Sequence, residues 1–223
     1  KMFSGQPIYE DFSGANIGDA PEPKQGEVVY VAFNALPSES VAVVVVREGR
    51  RLCVAADFAV SGTVNDAVKT LAFEVRASFP RASFQCWVPA DVYDQGQRIP
   101  LVSALRAASI TPYRAEHAAV SRGCVSDRIR TTWHNARLLT VDKKAQGTLN
   151  ALSAGYCLAV ERGGRVAGEP ETGISRLIAE ALEGLTSVLD RSINSQDGML
   201  PKGANIAHTP SGAAFVTAHP TRR

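Results

Sequence analysis

Residues 28–39 decide the fold, and they read VVYVAFNALPSE. The β-branched and aromatic run at 28–33 predicts a strand, which Asn34 ends, and the Pro-Ser-Glu that follows predicts a turn. Residues 40–47 read SVAVVVVR and predict a second strand, closed by Glu-Gly. Residues 51–56 predict a third. Three consecutive antiparallel strands therefore form a meander before any helix begins.

The remaining chain alternates between helical and strand patterns. A capped amphipathic helix is predicted over 63–79, and the apolar run at 83–88 predicts a buried strand. Further predicted elements are a helix at 100–109, a strand at 111–116, helices at 125–138 and 143–156, a glycine-rich loop at 163–173 and an amphipathic helix at 174–189. The order predicts an α/β fold whose mixed sheet has three antiparallel strands, then parallel strands, with helices on its faces.

The chain divides into three parts by composition. Residues 1–26 are rich in Gly and Pro and predict a linker or lead-in, residues 27–193 predict one domain, and residues 194–223 predict an irregular tail. A length of 223 residues with 45% hydrophobic content suits one α/β domain. Because ordered-looking sequence follows directly after Lys1 and Met2, we expect this chain to be a fragment of a longer protein.

Charge and cysteine usage exclude several classes of protein. The chain has 24 basic and 22 acidic residues, so any nucleic-acid surface must arise from local clustering. Its four cysteines lie far apart without a CxxC pair, which argues against structural zinc and a disulfide framework. The longest apolar run, 41–46, is too short to cross a bilayer. We expect a soluble intracellular protein.

Polar residues at strand ends are the candidate site. Ligands collect at the ends of adjacent strands in open sheets, and Asn34 and Asp91 both follow predicted strands. Glu180 lies near the edge of the apolar stripe of the last helix and could reach the sheet. Each residue alone is more often a turn, a cap or a solvated side chain. Further candidate carboxylates are Asp57, Asp94 and Glu183.

Basic residues cluster between positions 122 and 144. Arg128, Arg130, Lys143 and Lys144 are the candidate contacts to DNA phosphates. Intervening acidic residues dilute this patch, so a solvated helix face is the equal alternative.

Three segments carry a resemblance to a known family: residues 5–12 (GQPIYEDF), 29–38 (VYVAFNALPS) and 179–185 (AEALEGL). They resemble the C-terminal nuclease domain of the large terminase subunit of tailed bacteriophages, and the similarity covers nearly the whole chain. The resemblance implies a ribonuclease H-like fold that cuts concatemeric double-stranded DNA with two Mg²⁺ or Mn²⁺ ions. It places Asn34, Asp91 and Glu180 at the catalytic, metal-binding positions.

The resemblance also implies partners and a location. These are double-stranded DNA, the portal, the small terminase subunit and an upstream ATPase domain of the same polypeptide, in the host cytoplasm and without a membrane. The chain contains no GxxxxGK[ST] phosphate loop, so that motor is absent from it.

Two departures from the family pattern touch the acidic site. Asn34 stands where the family has Asp, and residues 180–184 read EALEG where the family has Asp-Ala-Leu, a basic residue and an aromatic one. An amide offers metals only a neutral oxygen, so we expect weak or absent cutting, whether the branch is naturally degenerate or a ligand was changed. A weakened endonuclease, an inactive module that binds DNA or the portal, and, last, a resolvase or integrase-like enzyme all remain open.

Overall fold

The protein is described by a computed structural model. It describes residues 6–9, 12–49, 51–95, 98–115, 139–160, 166–170, 172–194, 204–208 and 214–218. The strands are β1 (Gln6–Pro7), β2 (Val28–Leu36), β3 (Glu39–Glu48), β4 (Arg51–Ser61), β5 (Ser83–Pro89), β6 (Pro112–Ala115), β7 (Leu139–Val141), β8 (Cys157–Val160), β9 (Val166–Pro170), β10 (Ala204–His208) and β11 (Ala214–Ala218). The helices are α1 (Val64–Ser78), α2 (Ala90–Asp94), α3 (Leu101–Ala107), α4 (Gln146–Asn150) and α5 (Ile174–Asn194), with a 3₁₀ turn at Gly14–Asn16 and a π-helical turn at Ala151–Gly155.

The main sheet is mixed, as the sequence predicts. Strands β2, β3 and β4 form the antiparallel meander, with Leu36 opposite Glu39 across a two-residue turn. Strand β5 returns parallel to β2, β6 lies parallel to β5, and β7 lies parallel to β4. Within the described residues the strand order is β10-β11-β5-β2-β3-β4-β7, with β6 also beside β5. The predicted mixed sheet is confirmed.

Helices cover both faces of this sheet. Helix α1 begins after Thr63, whose hydroxyl accepts the Asp66 N–H at 3.4 Å, and it packs on β3, β4 and α3. Helix α5 lies on the opposite face, across β2, β3 and β5. None of the helices in the described part of the chain is long and apolar enough to cross a membrane.

The lead-in has more structure than its composition predicted. Strand β1 pairs with β8, and β8 with β9, in a small separate sheet. Tyr9 is buried, and the Ile8 N–H donates to the Tyr156 carbonyl at 3.0 Å. Residues 6–9 therefore pack as part of the folded domain.

Several local predictions were wrong. Asn34 lies inside β2 and does not end the strand. The predicted loop at 163–173 contains β9. The helix predicted at 143–156 is confirmed in part, since it begins only at Gln146 and consists of α4 followed by the π-helical turn that ends at Gly155. Two strands, β10 and β11, form an antiparallel pair in the tail predicted to be irregular. The predicted helix at 125–138 lies outside the described residues.

Candidate functional site

The pairing of β2 with β5 brings two candidate residues to one end of the sheet. Ala32 lies opposite Trp87 in this parallel ladder. Two residues further along each strand, Asn34 is therefore level with Pro89, and Asp91 follows just beyond the end of β5 in α2. Helix α5 crosses the same strands and carries Glu180. The topology thus brings β2, β5 and α5 together.

Asn34 is wholly buried and both ends of its amide are bonded. Its Nδ2 donates to the Leu177 carbonyl of α5 at 3.1 Å, and its Oδ1 accepts the Ala35 N–H at 2.9 Å. The side chain therefore ties β2, a central strand of the sheet, to the first turn of the last helix. A carboxylate could not donate to the Leu177 carbonyl, so the amide has a structural function that an aspartate would not supply.

Glu180 is held by an arginine of its own helix. Arg176 Nε donates to Glu180 Oε1 at 2.8 Å, and the two side chains are only 22% and 14% exposed. Arg176 was not among the residues predicted from the sequence. The available signal was its spacing, since residues four apart lie on one helix face and opposite charges there pair.

Asp91 differs from the other two positions because it is exposed. It lies in the first turn of α2, a five-residue helix that the sequence did not predict. Its neighbour Asp94 is engaged with Arg114, whose Nη2 lies 2.6 Å from Asp94 Oδ2. The hydrogen bond from Arg114 lowers the pKa of Asp94 below its ordinary value. Asp94 therefore serves to tie α2 to β6.

Asp57 fixes the start of α4. Its two carboxylate oxygens accept the N–H groups of Gly147 at 3.1 Å and Thr148 at 2.6 Å. A side chain at Gly147 would clash, because a Cβ there would lie 2.7 Å from Asp57 Oδ1 and 2.7 Å from Ile178 Cδ1. These contacts give Asp57 a capping role between β4 and α4.

Glu183 is buried and links the last helix to the lead-in. It accepts a short hydrogen bond from the Tyr9 hydroxyl. The Tyr9 ring in turn packs on Tyr156, with ring centroids 5.9 Å apart. Glu183 therefore holds the lead-in against α5.

The predicted two-metal set does not fit these residues. Two divalent cations need several anionic oxygens close together. Among the described residues, no group of three His, Cys, Asp or Glu side chains is placed to hold a metal ion. The amide oxygen of Asn34 is bonded to Ala35, and Glu180 is paired with Arg176.

The candidate DNA contacts are in part described. Lys143 and Lys144 are exposed on the turn before α4, whereas Arg128 and Arg130 lie outside the described residues. Asp142 shapes this turn by accepting the N–H groups of Lys144 and Ala20, each at 2.8 Å. Burial by itself would raise the pKa of Asp142, but these hydrogen bonds and the two lysine charges outweigh it and lower the pKa.

A groove of about 720 Å³ lies beside this turn. It is lined by residues 20–23 of the lead-in, residues 55–58 of β4, residues 78–82 at the end of α1, and by Asp142 and Lys144. Its walls do not include Asn34, Asp91 or Glu180, so the groove is distinct from the candidate site.

Comparison with known proteins gives similarity in structure alone. No family model matches the chain, and no curated protein matches it. Among solved structures, the large terminase nuclease domain of bacteriophage P22 aligns with a TM-score of 0.61 at 13% identity, covering 87% of this chain and 100% of that one. The nuclease domain of the bacteriophage SPP1 large terminase with bound Mn aligns with a TM-score of 0.51 at 10% identity, covering 83% and 97%.

A longer protein matches over part of its length. The large terminase of a thermophilic bacteriophage aligns with a TM-score of 0.60 at 11% identity, covering 84% of this chain and 46% of that one. This chain thus spans a little under half the length of that longer terminase. The ribonuclease H-like fold predicted from the sequence is confirmed, and it is the fold of large terminase nuclease domains.

Proposed function

We propose that this chain is the nuclease-type domain of a DNA-packaging large terminase subunit that has lost two-metal cutting and acts by holding double-stranded DNA. The fold supports the terminase assignment, because the P22 nuclease domain aligns over its whole length. The partners implied by the sequence resemblance are then the upstream ATPase domain, the small subunit and the portal, in the host cytoplasm.

The observation that best supports a loss of cutting is the buried amide of Asn34. In a two-metal nuclease the carboxylates offset repulsion between the cations, and the position most central to the site would need an anionic oxygen. Here that position supplies a neutral amide, whose nitrogen donates to Leu177 and whose oxygen accepts from Ala35. The site has been replaced by a contact between strand and helix.

The turn at Lys143 and Lys144 is the part of the described chain best suited to DNA phosphates. Both lysines are exposed, and Asp142 fixes the backbone between them through its bonds to Lys144 and Ala20. A pre-formed turn loses less conformational freedom on binding than a mobile one. Phosphate contacts of this kind are independent of base sequence and fall with added salt.

The test measures DNA binding and cutting by the same protein. Lys143→Ala/Lys144→Ala should weaken binding to a fluorescent duplex and reduce the slope of log affinity against log salt by about 2, since each phosphate contact contributes about 0.9. Lys69→Ala/Arg106→Ala removes two exposed cations from helices on the other face and should change neither. Unaltered affinity in the first variant would contradict the proposed contact.

Metal-dependent cutting is the second candidate, and one observation favours it. Asp91 is exposed at the sheet end where Asn34 and α5 meet, so a weakened site could bind a cation there. We expect no nicking of supercoiled plasmid in millimolar Mn²⁺. Nicking by the parent chain that disappears in Asp91→Ala would replace the first candidate with this one.

A further inference from the structure

We propose that Arg176 is a resident cation that neutralises Glu180 and takes the place of a divalent metal at this end of the sheet. The inference rests on the proposed function, in which the two-metal centre is lost. It adds the residue that keeps metal away from Glu180, the α5 carboxylate that the sequence places at the site.

The geometry places Arg176 within the first turns of α5. Its Nε lies 2.8 Å from Glu180 Oε1. The carbonyl of the next residue, Leu177, accepts a hydrogen bond from the side-chain amide of Asn34 in β2. Both departures from an acidic site therefore meet at the first turn of α5, one on β2 and one on the helix itself. The amide removes a negative charge at the strand, and the guanidinium cancels one on the helix.

Electrostatics favours this arrangement over a bound metal. A guanidinium stays charged at every accessible pH, and its bond to a carboxylate is charge-assisted. A divalent cation binding to Glu180 would approach this fixed positive charge. Like charges at close range repel strongly at the effective dielectric of a protein surface. A metal that bound Glu180 Oε1 would have to displace the Arg176 side chain first.

Burial separates this pair from an ordinary helical ion pair. Lys69 and Asp66 of α1 form one at 3.6 Å, but both side chains are 74% exposed and water screens them. Arg176 and Glu180 are 22% and 14% exposed, so their attraction is screened less. Lys69 is therefore the matched control for Arg176, since each is the cation of a pair within one helix.

The experiment measures Mn²⁺ binding to the full chain by the loss of the hexaaquo Mn²⁺ electron paramagnetic resonance signal. The variants are Arg176→Gln, Arg176→Ala, Arg176→Lys and Lys69→Gln, each checked for folding by circular dichroism. Arg176→Gln and Arg176→Ala should raise Mn²⁺ affinity about tenfold or more over the parent, a factor that corresponds to a modest part of the repulsion removed. Arg176→Lys, which keeps the charge, and Lys69→Gln should bind as the parent does.

The gain must depend on Glu180 to support the inference. Arg176→Gln/Glu180→Gln should return binding to the parent level. A folded Arg176→Gln or Arg176→Ala that binds Mn²⁺ no more tightly than the parent overturns the inference, as does a gain that survives in the double variant. Failure of the proposed function is a separate result, because it would be seen as nicking of plasmid by the parent chain itself.

Discussion

The two faces of the main sheet are built from different chemistry. The face under α1 and α3 is an apolar core in which strand residues such as Val31 and Phe33 pack on Val68 and Leu71. The face under α5 also has an apolar core, but it buries Asn34 and Glu183 among those residues. On the first face Arg76 of α1 donates to the Ala108 carbonyl after α3 at 3.3 Å. On the second face, hydrogen bonds of the buried side chains Asn34 and Glu183 join the sheet and the lead-in to α5.

This difference concerns how the buried polar side chains of the α5 face are used. Buried polar groups are costly unless they are bonded, so a fold keeps them where they perform a task. On the α5 face that task is attachment: Asn34 bonds the helix carbonyl of Leu177, and Glu183 bonds Tyr9. These two hydrogen bonds hold the last helix and the lead-in in place.

The largest effect should come from the apolar face. Leu71→Ala removes a wholly buried side chain and leaves a cavity, which should lower the free energy of unfolding by about 2–5 kcal/mol. Chemical denaturation measures it. Phe73→Ala on the same helix is the control, because Phe73 is 67% exposed and should be nearly neutral. A loss below about 1 kcal/mol in Leu71→Ala would mean that this core is loosely packed.

The next effect tests the polar face. Asn34→Asp removes the donor to the Leu177 carbonyl and buries a carboxylate, which should cost about 1–3 kcal/mol or more near neutral pH. Burial should raise the pKa of the new carboxyl in the folded state above its unfolded value. The loss of stability should therefore be small at acid pH, where the protonated carboxyl can donate to the Leu177 carbonyl. It should grow as pH rises through the raised pKa.

The control for this variant makes the same chemical change on the surface. Asn65→Asp lies in the exposed first turn of α1 and should leave stability unchanged or slightly raised at neutral pH. If Asn34→Asp and the parent give equal denaturation curves at acid pH and at neutral pH, the buried amide does not hold the helix.

The smallest effect should come from the lead-in. Tyr9→Phe removes the hydroxyl that donates to Glu183 and should cost about 1–2 kcal/mol, because the buried carboxylate loses that donor. Tyr93→Phe is the control, since its exposed hydroxyl accepts from Arg106 at 3.5 Å and contributes little. If the two variants are equally stable, the lead-in is not anchored through Glu183.

The sequence predicted the meander and the last helix because their patterns are local. The runs at 40–47 and 51–56 alternate with clear turn residues, and Thr63 marks the start of α1. The sequence wrongly predicted that Asn34 ends the strand, because Asn is a poor strand former. In the structure, its pairing with Val41 of β3 and its bond to Leu177 hold it inside β2. The sequence did not predict the three-residue strand β7, because this strand is held by its pairing with β4 and not by a local pattern of its own.

The sequence predicted which strand ends lie side by side, whereas the hydrogen-bond partners of the candidate residues were not predicted. The ends of β2 and β5 meet as expected, since parallel neighbours share an end. The bonding of Asn34 and the capping role of Asp57 depend on partners 143 and 90 or 91 residues away. No pattern in the strands themselves carries such contacts. Arg176 was within reach of sequence analysis through its i, i+4 spacing to Glu180.

The most direct test of the account is the effect of Mn²⁺ on the thermal unfolding of Asn34→Asp, beside the parent chain. If position 34 is a structural amide and Arg176 occupies the cation position, millimolar Mn²⁺ should leave the unfolding midpoints of both proteins unchanged. A metal that binds only the folded state raises its stability by mass action. A midpoint of Asn34→Asp that rises with Mn²⁺ to or above the parent's would contradict the account and show a metal site one substitution away.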